Sequence, residues 1–356
     1  MTVMLALVSD AFGGRGGIAQ YNRDFLSAIA TSPAITSIEI LPRHTADNFT
    51  LPARVHQVLP ATNRIAYVAR ALRMGLEKKP DIVFCGHINL APLAVALAWL
   101  CRAKMIVQTH GIEAWDRPRP LYRRAVETAD LVLCVSRYTR ARLLSWAAMS
   151  PDRVVVLANT VGQAFTPGDA SALRRAWKLD GKRVLLTVAR TEERERYKGH
   201  ERVIAALPAL PRDIVYVVLG DGNDLERIKD VAYQAGVGER VYFKHAVNRD
   251  TLIAAYRMAD LYVMPSTGEG FGIAFLEAMA SGTPALGLAV AGATDALCDG
   301  VLGVAASEHD FAGVLASQMA GPKPDPRTLA AAVTARFGNE TFTACAQGAL
   351  NRLSPA

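Results

Sequence analysis

At 356 residues, 51% hydrophobic and 21% charged, the chain can bury two α/β-sized cores and has none of the bias of a fibrous or disordered protein. Lys and Arg number 40 against 33 Asp and Glu, a net charge of +7 that favours anionic partners, whether nucleic acid, anionic lipid or nucleotide, without choosing among them. Five cysteines, Cys85, Cys101, Cys134, Cys298 and Cys345, are odd in number and form no C-x-x-C pair, so they read as buried reduced thiols of a cytoplasmic protein.

Short apolar runs alternate with longer amphipathic ones, the pattern of parallel sheets flanked by helices. In the first half, strands are predicted at 2–8, 37–41, 81–85, 104–109, 130–135 and 153–157. The opening run TVMLALVSD is too short for a membrane span and lacks a basic leader, so it reads as the first strand of a protein that is not secreted. Between it and a helix beginning near Ile18 stands Phe12-Gly13-Gly14-Arg15-Gly16-Gly17, whose four glycines suit a phosphate-binding turn. It is not G-x-G-x-x-G, and Leu41 is followed by Pro42, Arg43 and His44 where a dinucleotide fold places an acid, which argues against an NAD enzyme. Residues 64–79 form an amphipathic helix with Arg64, Arg70, Arg73, Lys78 and Lys79 on one side and Ile65, Val68, Leu72 and Leu76 available to the other. LAPLAVALAWLC, 90–101, is the most apolar segment but suits a buried helix better than a span. His110 follows a strand at the edge where α/β sheets bind ligands. Two further basic groups follow it, Arg117, Arg119, Arg123 and Arg124, then Arg137, Arg140 and Arg142.

Gly162, Pro167 and Gly168 break the pattern near 160–182, where the linker is expected; the domains are then 1–165 with 340–356, and 166–339. An internal echo, ADLVLCVS at 129–136 and ADLYVMPS at 259–266, supports two similar domains, each copy ending in a Ser placed to cap the next segment. Strands in the second half are predicted at 183–189, 214–219, 240–243, 260–264 and 284–288. Arg190 and Lys198 follow the first of these and can neutralise a diphosphate; Arg194 and Arg196 lie between them and leave the register open. Gly220-Asp221-Gly222 ends the next strand, and His245 and Val247 end the one after. The stretch PSTGEGFGIAFLEAMASGTP, 265–284, reads as strand, loop, helix, stopped by Gly282 and Pro284. Its glycines let backbone N–H groups approach a phosphate at the helix N-terminus, while Glu269 and Glu277, eight positions apart, suit neutral hydroxyls; phosphate with two polyols points to a sugar nucleotide. No D-x-D ends a strand and no His/Cys cluster has metal spacing, so no metal and no cofactor are expected, and neither a G-x-S-x-G elbow nor a P-loop is present.

The 265–284 stretch resembles the E-x7-E signature of glycosyltransferase family 4, retaining enzymes of the GT-B fold. The resemblance implies that Glu269 contacts the transferred sugar and Glu277 the ribose, with Gly270, Phe271, Gly272 and Ile273 meeting sugar and diphosphate. Gly16 and Gly17 resemble the family's N-terminal glycine pair, which approaches the diphosphate from the opposite domain and implies a reaction in the interdomain cleft. His110 is similar to the T-x-H-G-type histidine beside the sugar, and Arg190 with Lys198-Gly199 to the Arg and Lys-Gly pair, though the spacing of eight is long. Gly220 and Asp221 resemble the glycine turn near the nucleotide; at the base, His245 stands where the family usually has Gly, with Val247 following.

The fold expected is thus GT-B, two Rossmann-like doubly wound parallel-sheet domains facing across a cleft. The function expected is metal-independent, retaining transfer of a hexose from a UDP- or GDP-sugar to a glycan or lipid-linked acceptor, as in polysaccharide or glycolipid synthesis, by front-face displacement. The basic first domain is expected to touch anionic membrane lipid, making the protein cytoplasmic and peripheral to the inner face. The alternative is a sugar-nucleotide-binding partner subunit without transfer activity. Nucleic acid is not an expected partner, because the basic residues have no interleaved aromatic platform.

Overall fold

The computed structural model describes residues 2–14, 16–44 and 50–353, so Arg15 of the glycine loop and the terminal residues 1 and 354–356 of the first expected domain lie outside it. The chain divides into two compact units, Met1–Thr160 with Asn339–Ala356, and Val161–Gly338.

The first unit runs β1 (Thr2–Val8), α1 (Gly17–Ala30), β2 (Ile35–Pro42), β3 (Val55–Gln57), α2 (Arg64–Lys78), β4 (Ile82–Cys85), α3 (Ala91–Cys101), β5 (Lys104–Thr109), α4 (Pro120–Glu127), β6 (Leu131–Cys134), α5 (Arg137–Leu144) and β7 (Val154–Val156). All seven strands are parallel, in the order β3-β2-β1-β4-β5-β6-β7. Central strands such as β4 and β6 are buried at every position, because helices cover both faces of a parallel sheet. Asn63 caps α2 by accepting from the Ile65 N–H at 2.8 Å, and Ser136 caps α5 through the Thr139 N–H at 3.1 Å.

The second unit runs α6 (Ser171–Ala176), β8 (Arg183–Val188), α7 (His200–Ala206), β9 (Ile214–Leu219), α8 (Leu225–Gln234), β10 (Val241–Lys244), α9 (Arg249–Met258), β11 (Leu261–Met264), α10 (Ile273–Ala280), β12 (Ala285–Leu288), α11 (Ala293–Ala296), β13 (Val304–Ala306), α12 (Phe311–Ala320) and α13 (Pro326–Phe337). Its six parallel strands lie in the order β10-β9-β8-β11-β12-β13, the doubly wound arrangement of a Rossmann-type sheet. After it, α14 (Asn339–Asn351) returns to the first unit, where the Phe342 ring meets Tyr21 edge-on at 5.9 Å.

Several expectations need correction. β3 and β13 are three-residue edge strands, too short to show a period in the sequence. Ser266 does not cap a helix: its Oγ accepts from the Gly268 N–H at 3.3 Å, and α10 starts six residues later from Gly272. Cys101 is half-buried and Cys345 exposed, because each sits on the outer part of a helix; Cys85, Cys134 and Cys298 are buried. The apolar side of α2 does not all face the core: Tyr67, Ala71, Met74 and Gly75 do, whereas Ile65, Val68 and Leu76 stand 80, 42 and 60% exposed. Among the described residues, no helix is long and apolar enough to cross a membrane.

Candidate functional site

In a doubly wound sheet the chain leaves neighbouring central strands in opposite directions, and ligands bind outside their carboxyl ends. In the second unit these strands are β8 and β11, and the loops beyond them carry Arg190, Lys198, Glu269 and Gly272. The two loops are stapled to each other. Thr267 N–H donates to the Tyr197 carbonyl at 2.9 Å, and Gly199 packs so closely on Pro265 that a Cβ there would lie 2.4 Å from its carbonyl oxygen. Gly199 also has φ +81°, so the family-like Lys-Gly step is imposed by backbone shape as well as by contact.

Lys198 reaches from this staple to an ion pair with Glu269; the side chains are only 16 and 10% exposed. Burial is the strongest single influence and works against the Lys198 charge, but Glu269, with Tyr197 and Glu195, together outweigh it and raise the ammonium above its ordinary value. Arg190 is largely exposed and pairs with the buried Glu195. Of the two alternative arginines, Arg196 is committed to Asp224 at 2.9 Å, a carboxylate held down to about 2 by Arg227 with Arg196, while Arg194 is exposed. Beneath this loop His200 is buried, with Nδ1 2.9 Å from the Tyr216 hydroxyl, and burial lowers it to about 4.

The loop after β11 is fixed from the other side. Gly292 N–H donates to the Glu269 carbonyl at 2.9 Å, and a Cβ on Gly292 would lie 2.0 Å from the Gly270 oxygen. Gly272, at φ +95°, then opens α10 without a side-chain cap, leaving its first N–H groups to a ligand. The Phe271 side chain is 3% exposed and packs edge-on to Phe337 at 5.7 Å, which leaves the backbone of this residue at the loop surface. Ile273 is half-buried at the start of the helix. One turn on, Glu277 is 8% exposed and its Oε2 accepts from the Tyr256 hydroxyl at 2.8 Å.

At the neighbouring strand ends, Gly220 (φ +152°) and Gly222 lie against the 189–191 backbone, where added Cβ atoms would come within 2.0 Å of the Ala189 oxygen and 2.2 Å of Thr191. Asp221 uses one oxygen for His245 Nδ1 at 2.6 Å and the other for the Ala246 N–H at 2.9 Å, which together hold its carboxyl below the usual range, the backbone bond contributing most. β10 ends at Lys244, so His245 and Val247 belong to the loop beyond the strand, not to the strand.

In the first unit, β1 and β4 are the corresponding central pair. The glycine turn after β1 is held from inside by α1: the Asn22 amide donates to the Asp10 carbonyl at 2.8 Å and Arg23 to that of Gly14 at 2.7 Å. Gly16 has φ +91° and precedes α1, whose first residue is Gly17; a Cβ on either would meet nothing within 4 Å. His110 follows β5. Its Nε2 lies 2.9 Å from the Gly86 carbonyl, which can only accept, so the proton is on Nε2 and Nδ1 carries the lone pair. Burial keeps the ring neutral by lowering its pKa against the opposing pull of Glu113. The sequence reading missed His87, which follows β4 next to Gly86 as His110 stands next to Gly111; its ring stacks at 6.2 Å on that of His110. It also missed Tyr256, a helix residue with no local signal.

The structure thus brings Arg190, Lys198, Glu269, Gly270, Gly272, Glu277 and the Gly220 turn to one sheet edge in the second unit, and Gly16, Gly17 and His110 to the equivalent edge in the first. The family model for glycosyl transferases group 1 matches residues 169–327, and that for glycosyltransferase family 4 matches residues 28–163. A GDP-mannose-dependent alpha-(1-6)-phosphatidylinositol monomannoside mannosyltransferase of Mycolicibacterium smegmatis is 30% identical over 92% of this chain and 91% of its own length. A D-inositol 3-phosphate glycosyltransferase of Mycolicibacterium vanbaalenii is 32% identical over 76% of this chain, a stretch that spans 66% of that protein. Among solved structures, the Anabaena protein HepE in complex with UDP and glucose superposes with a TM-score of 0.80 at 18% identity, covering 99% of this chain and 100% of that one. With two parallel-sheet Rossmann-like units and relatives of this kind along nearly its whole length, the chain belongs to glycosyltransferase family 4 and has the GT-B fold.

Proposed function

We propose that the protein transfers a hexose from a UDP- or GDP-sugar to a hydroxyl of a glycan or lipid-linked acceptor, with retention at the anomeric carbon. The observation that carries the reading is the nearly buried Lys198–Glu269 pair, set between two stapled loops at the N-terminus of α10 with Glu277 one turn along. On donor binding, the diphosphate takes the Lys198 ammonium and the first N–H groups of α10, and Arg190 adds a second cation where charge builds on the leaving group. Glu269, released from Lys198, accepts from sugar hydroxyls, and Glu277 accepts from the ribose. His110, neutral with its lone pair on Nδ1, accepts from a hydroxyl beside the reacting carbon.

In a front-face displacement the acceptor oxygen bonds to the anomeric carbon on the side from which the diphosphate departs, and the acceptor proton passes to a departing phosphate oxygen. Products are the glycoside and the nucleoside diphosphate. No carboxylate here needs to act as a covalent nucleophile, and the residues named supply the charge stabilisation without a metal. Calorimetric titration of GDP, UDP and ADP into the wild type and Glu277→Ala tests the reading; GDP comes first because the mannosyltransferase relative is named for GDP-mannose. Binding of one nucleotide that Glu277→Ala loses is the expected result. Failure of all three to bind at millimolar concentration would overturn it, and binding without turnover of any sugar nucleotide would favour a non-catalytic partner subunit.

The reading extends to the acceptor. On α2 the exposed Ile65, Val68 and Leu76 stand among Arg64, Arg70, Arg73, Lys78 and Lys79, and Trp99 on the neighbouring α3 is 83% exposed. Basic side chains around an apolar and aromatic strip suit an anionic lipid surface, where a lipid-linked acceptor resides on the cytoplasmic side. Arg140 and Arg142 do not join this face: Arg140 donates to the Val154 and Pro151 carbonyls and Arg142 pairs with Asp116. Co-sedimentation with anionic but not with neutral vesicles is expected, and equal behaviour with both would remove the membrane from the proposal.

A further inference from the structure

Glu277 is carried on α10, and a group that holds its carboxylate lies on α9. Tyr256 is fully buried, and its hydroxyl donates to Glu277 Oε2 at 2.8 Å. The phenol ring has little freedom: Phe165 meets it at 5.9 Å and 68°, and Tyr262 at 5.8 Å and 61°. Its backbone is held as well, since the Thr283 hydroxyl donates to the Tyr256 carbonyl at 2.6 Å. A glutamate side chain has several torsions to settle, and a carboxylate accepts hydrogen bonds along lone-pair directions in its own plane. Anchoring Oε2 to an immobile donor therefore sets the plane of the group and the direction from which it accepts hydroxyls.

We propose that Tyr256 is a positioning residue of the nucleotide site, its hydroxyl holding Glu277 in the orientation that grips the donor ribose; this rests on the reading of Glu277 as the ribose ligand. Burial, followed by the charge of Glu277, raises the phenol far above its ordinary pKa, so it remains a donor throughout the working range of pH. A water in place of the hydroxyl could satisfy Oε2, but no packed ring would then fix its position. Tyr256 touches no reacting atom, and its effect is transmitted through Glu277 alone.

The test titrates whichever nucleoside diphosphate binds, together with its 2′-deoxy and 3′-deoxy counterparts, into wild type, Tyr256→Phe and Thr283→Val. In the wild type, removing the hydroxyl that Glu277 grips is expected to weaken binding roughly tenfold or more, as for a hydrogen bond to a charged group. In Tyr256→Phe the parent nucleotide binds roughly tenfold more weakly and the deoxy penalty shrinks to about threefold or less, because the misoriented carboxylate no longer rewards that hydroxyl. Thr283→Val is the control: it loosens the same backbone, lowers the melting temperature, and leaves the deoxy penalty at its wild-type size. A full penalty in Tyr256→Phe would show that the tyrosine only fills space and overturn the inference. No penalty in the wild type would overturn it through Glu277, and no nucleotide binding by the wild type would instead defeat the glycosyltransferase reading beneath it. Should Tyr256→Phe fail to fold, Phe165→Leu, which frees one edge of the ring, is expected to reduce the penalty in the same direction by a smaller factor, and an unchanged penalty there counts against the inference.

Discussion

The two units carry the same kind of sheet and place their loops at the same edge, yet they build those loops in opposite ways. In the second unit the glycines are demanded by the protein itself: Cβ atoms on Gly199, Gly220, Gly222 and Gly292 would fall within 2.4 Å of backbone atoms. In the first, Gly16 and Gly17 would meet nothing within 4 Å. Charge differs less sharply. Lys198, Arg190, Arg196 and Arg227 are each matched to a carboxylate in the second unit; on α2 of the first, Arg73 pairs with Glu77 and Lys78 with Glu39 at the surface, beside exposed apolar side chains. One unit has a site closed by its own contacts; the other carries exposed apolar side chains on α2.

The sharpest way to break this comparison is to give both units the same methyl group. Gly292→Ala puts a Cβ 2.0 Å from the Gly270 oxygen, a collision that only backbone movement relieves, and should destabilise the second unit by roughly 3 kcal/mol or more. Gly17→Ala, with open space around it and a place in the first turn of α1, should change stability by no more than about 0.5 kcal/mol. Its expected cost is functional, a loss of roughly tenfold or more in kcat/KM for the donor if a diphosphate occupies that space. Chemical denaturation and steady-state kinetics on both variants check the pair of outcomes; a destabilised Gly17→Ala would show that this glycine too serves packing.

Next in size is the removal of Lys198. Lys198→Met leaves the Glu269 carboxylate nearly buried and unpaired, with an expected loss of about 3 kcal/mol in stability and roughly 100-fold in kcat. Adding Glu269→Gln should restore most of the stability, since the stranded charge is gone, while activity stays low. Recovery of both together would mean that the pair is structural only.

How far the sequence disclosed this molecule depends on how local each feature is. Eleven strands were legible because a doubly wound sheet writes its buried strands as apolar runs separated by helices; the three-residue edge strand β7 was among them because it is a run of three valines, whereas the three-residue edge strands β3 (VHQ) and β13 (VAA) carry no such run. Arg190, Lys198 and Glu269 could be singled out as charged residues in the loops after strands, and Glu277 as the second acid, eight positions on, of the 265–284 stretch. Their partners could not: Glu195 was one acid among several in a mixed-sign loop, and Tyr256 lies on a different helix from the carboxylate it holds. Which residues of α2 meet the core was hidden for a related reason. Ile65, Val68 and Leu76 recur at helical spacing, but the smaller Ala71 and Gly75 with Tyr67 and Met74 form the face that meets the core.

A moderate effect should follow acidification. His200 is lowered by burial from its ordinary 6.5 to about 4, so on lowering the pH the unfolded chain takes up this proton before the folded one does. More protons bound when unfolded means that stability falls as pH falls, beginning near 6.5 and levelling off below about 4, with a total near 3 kcal/mol for this residue. His200→Gln should flatten that part of the curve in urea denaturation series spanning this range. His87 and His110 in the first unit, lowered by burial in the same direction, leave a residual slope. An unchanged slope in His200→Gln would assign the acid sensitivity to the first unit.

The smallest effect on stability should come from the exposed strip itself, and there the comparison of the units is most useful. Ile65, Leu76 and Trp99 are 80, 60 and 83% exposed, so replacing them with Ser, Ser and Ala removes little from the core and should alter stability by less than about 0.5 kcal/mol each. If they enter the interfacial region of an anionic bilayer, each aliphatic side chain contributes roughly 1.5 kcal/mol there, and each replacement should weaken vesicle binding by about tenfold. The second unit supplies the control: Tyr233 and Val301 are each 83% exposed, and Tyr233→Ser should leave vesicle binding unchanged. Vesicle binding that falls with added salt and with the Ile65 and Leu76 variants, but not with Tyr233→Ser, would mean that cations and apolar side chains act together on the first unit. Binding that responds to salt alone would mean that the cations suffice and the exposed side chains of α2 await a different partner.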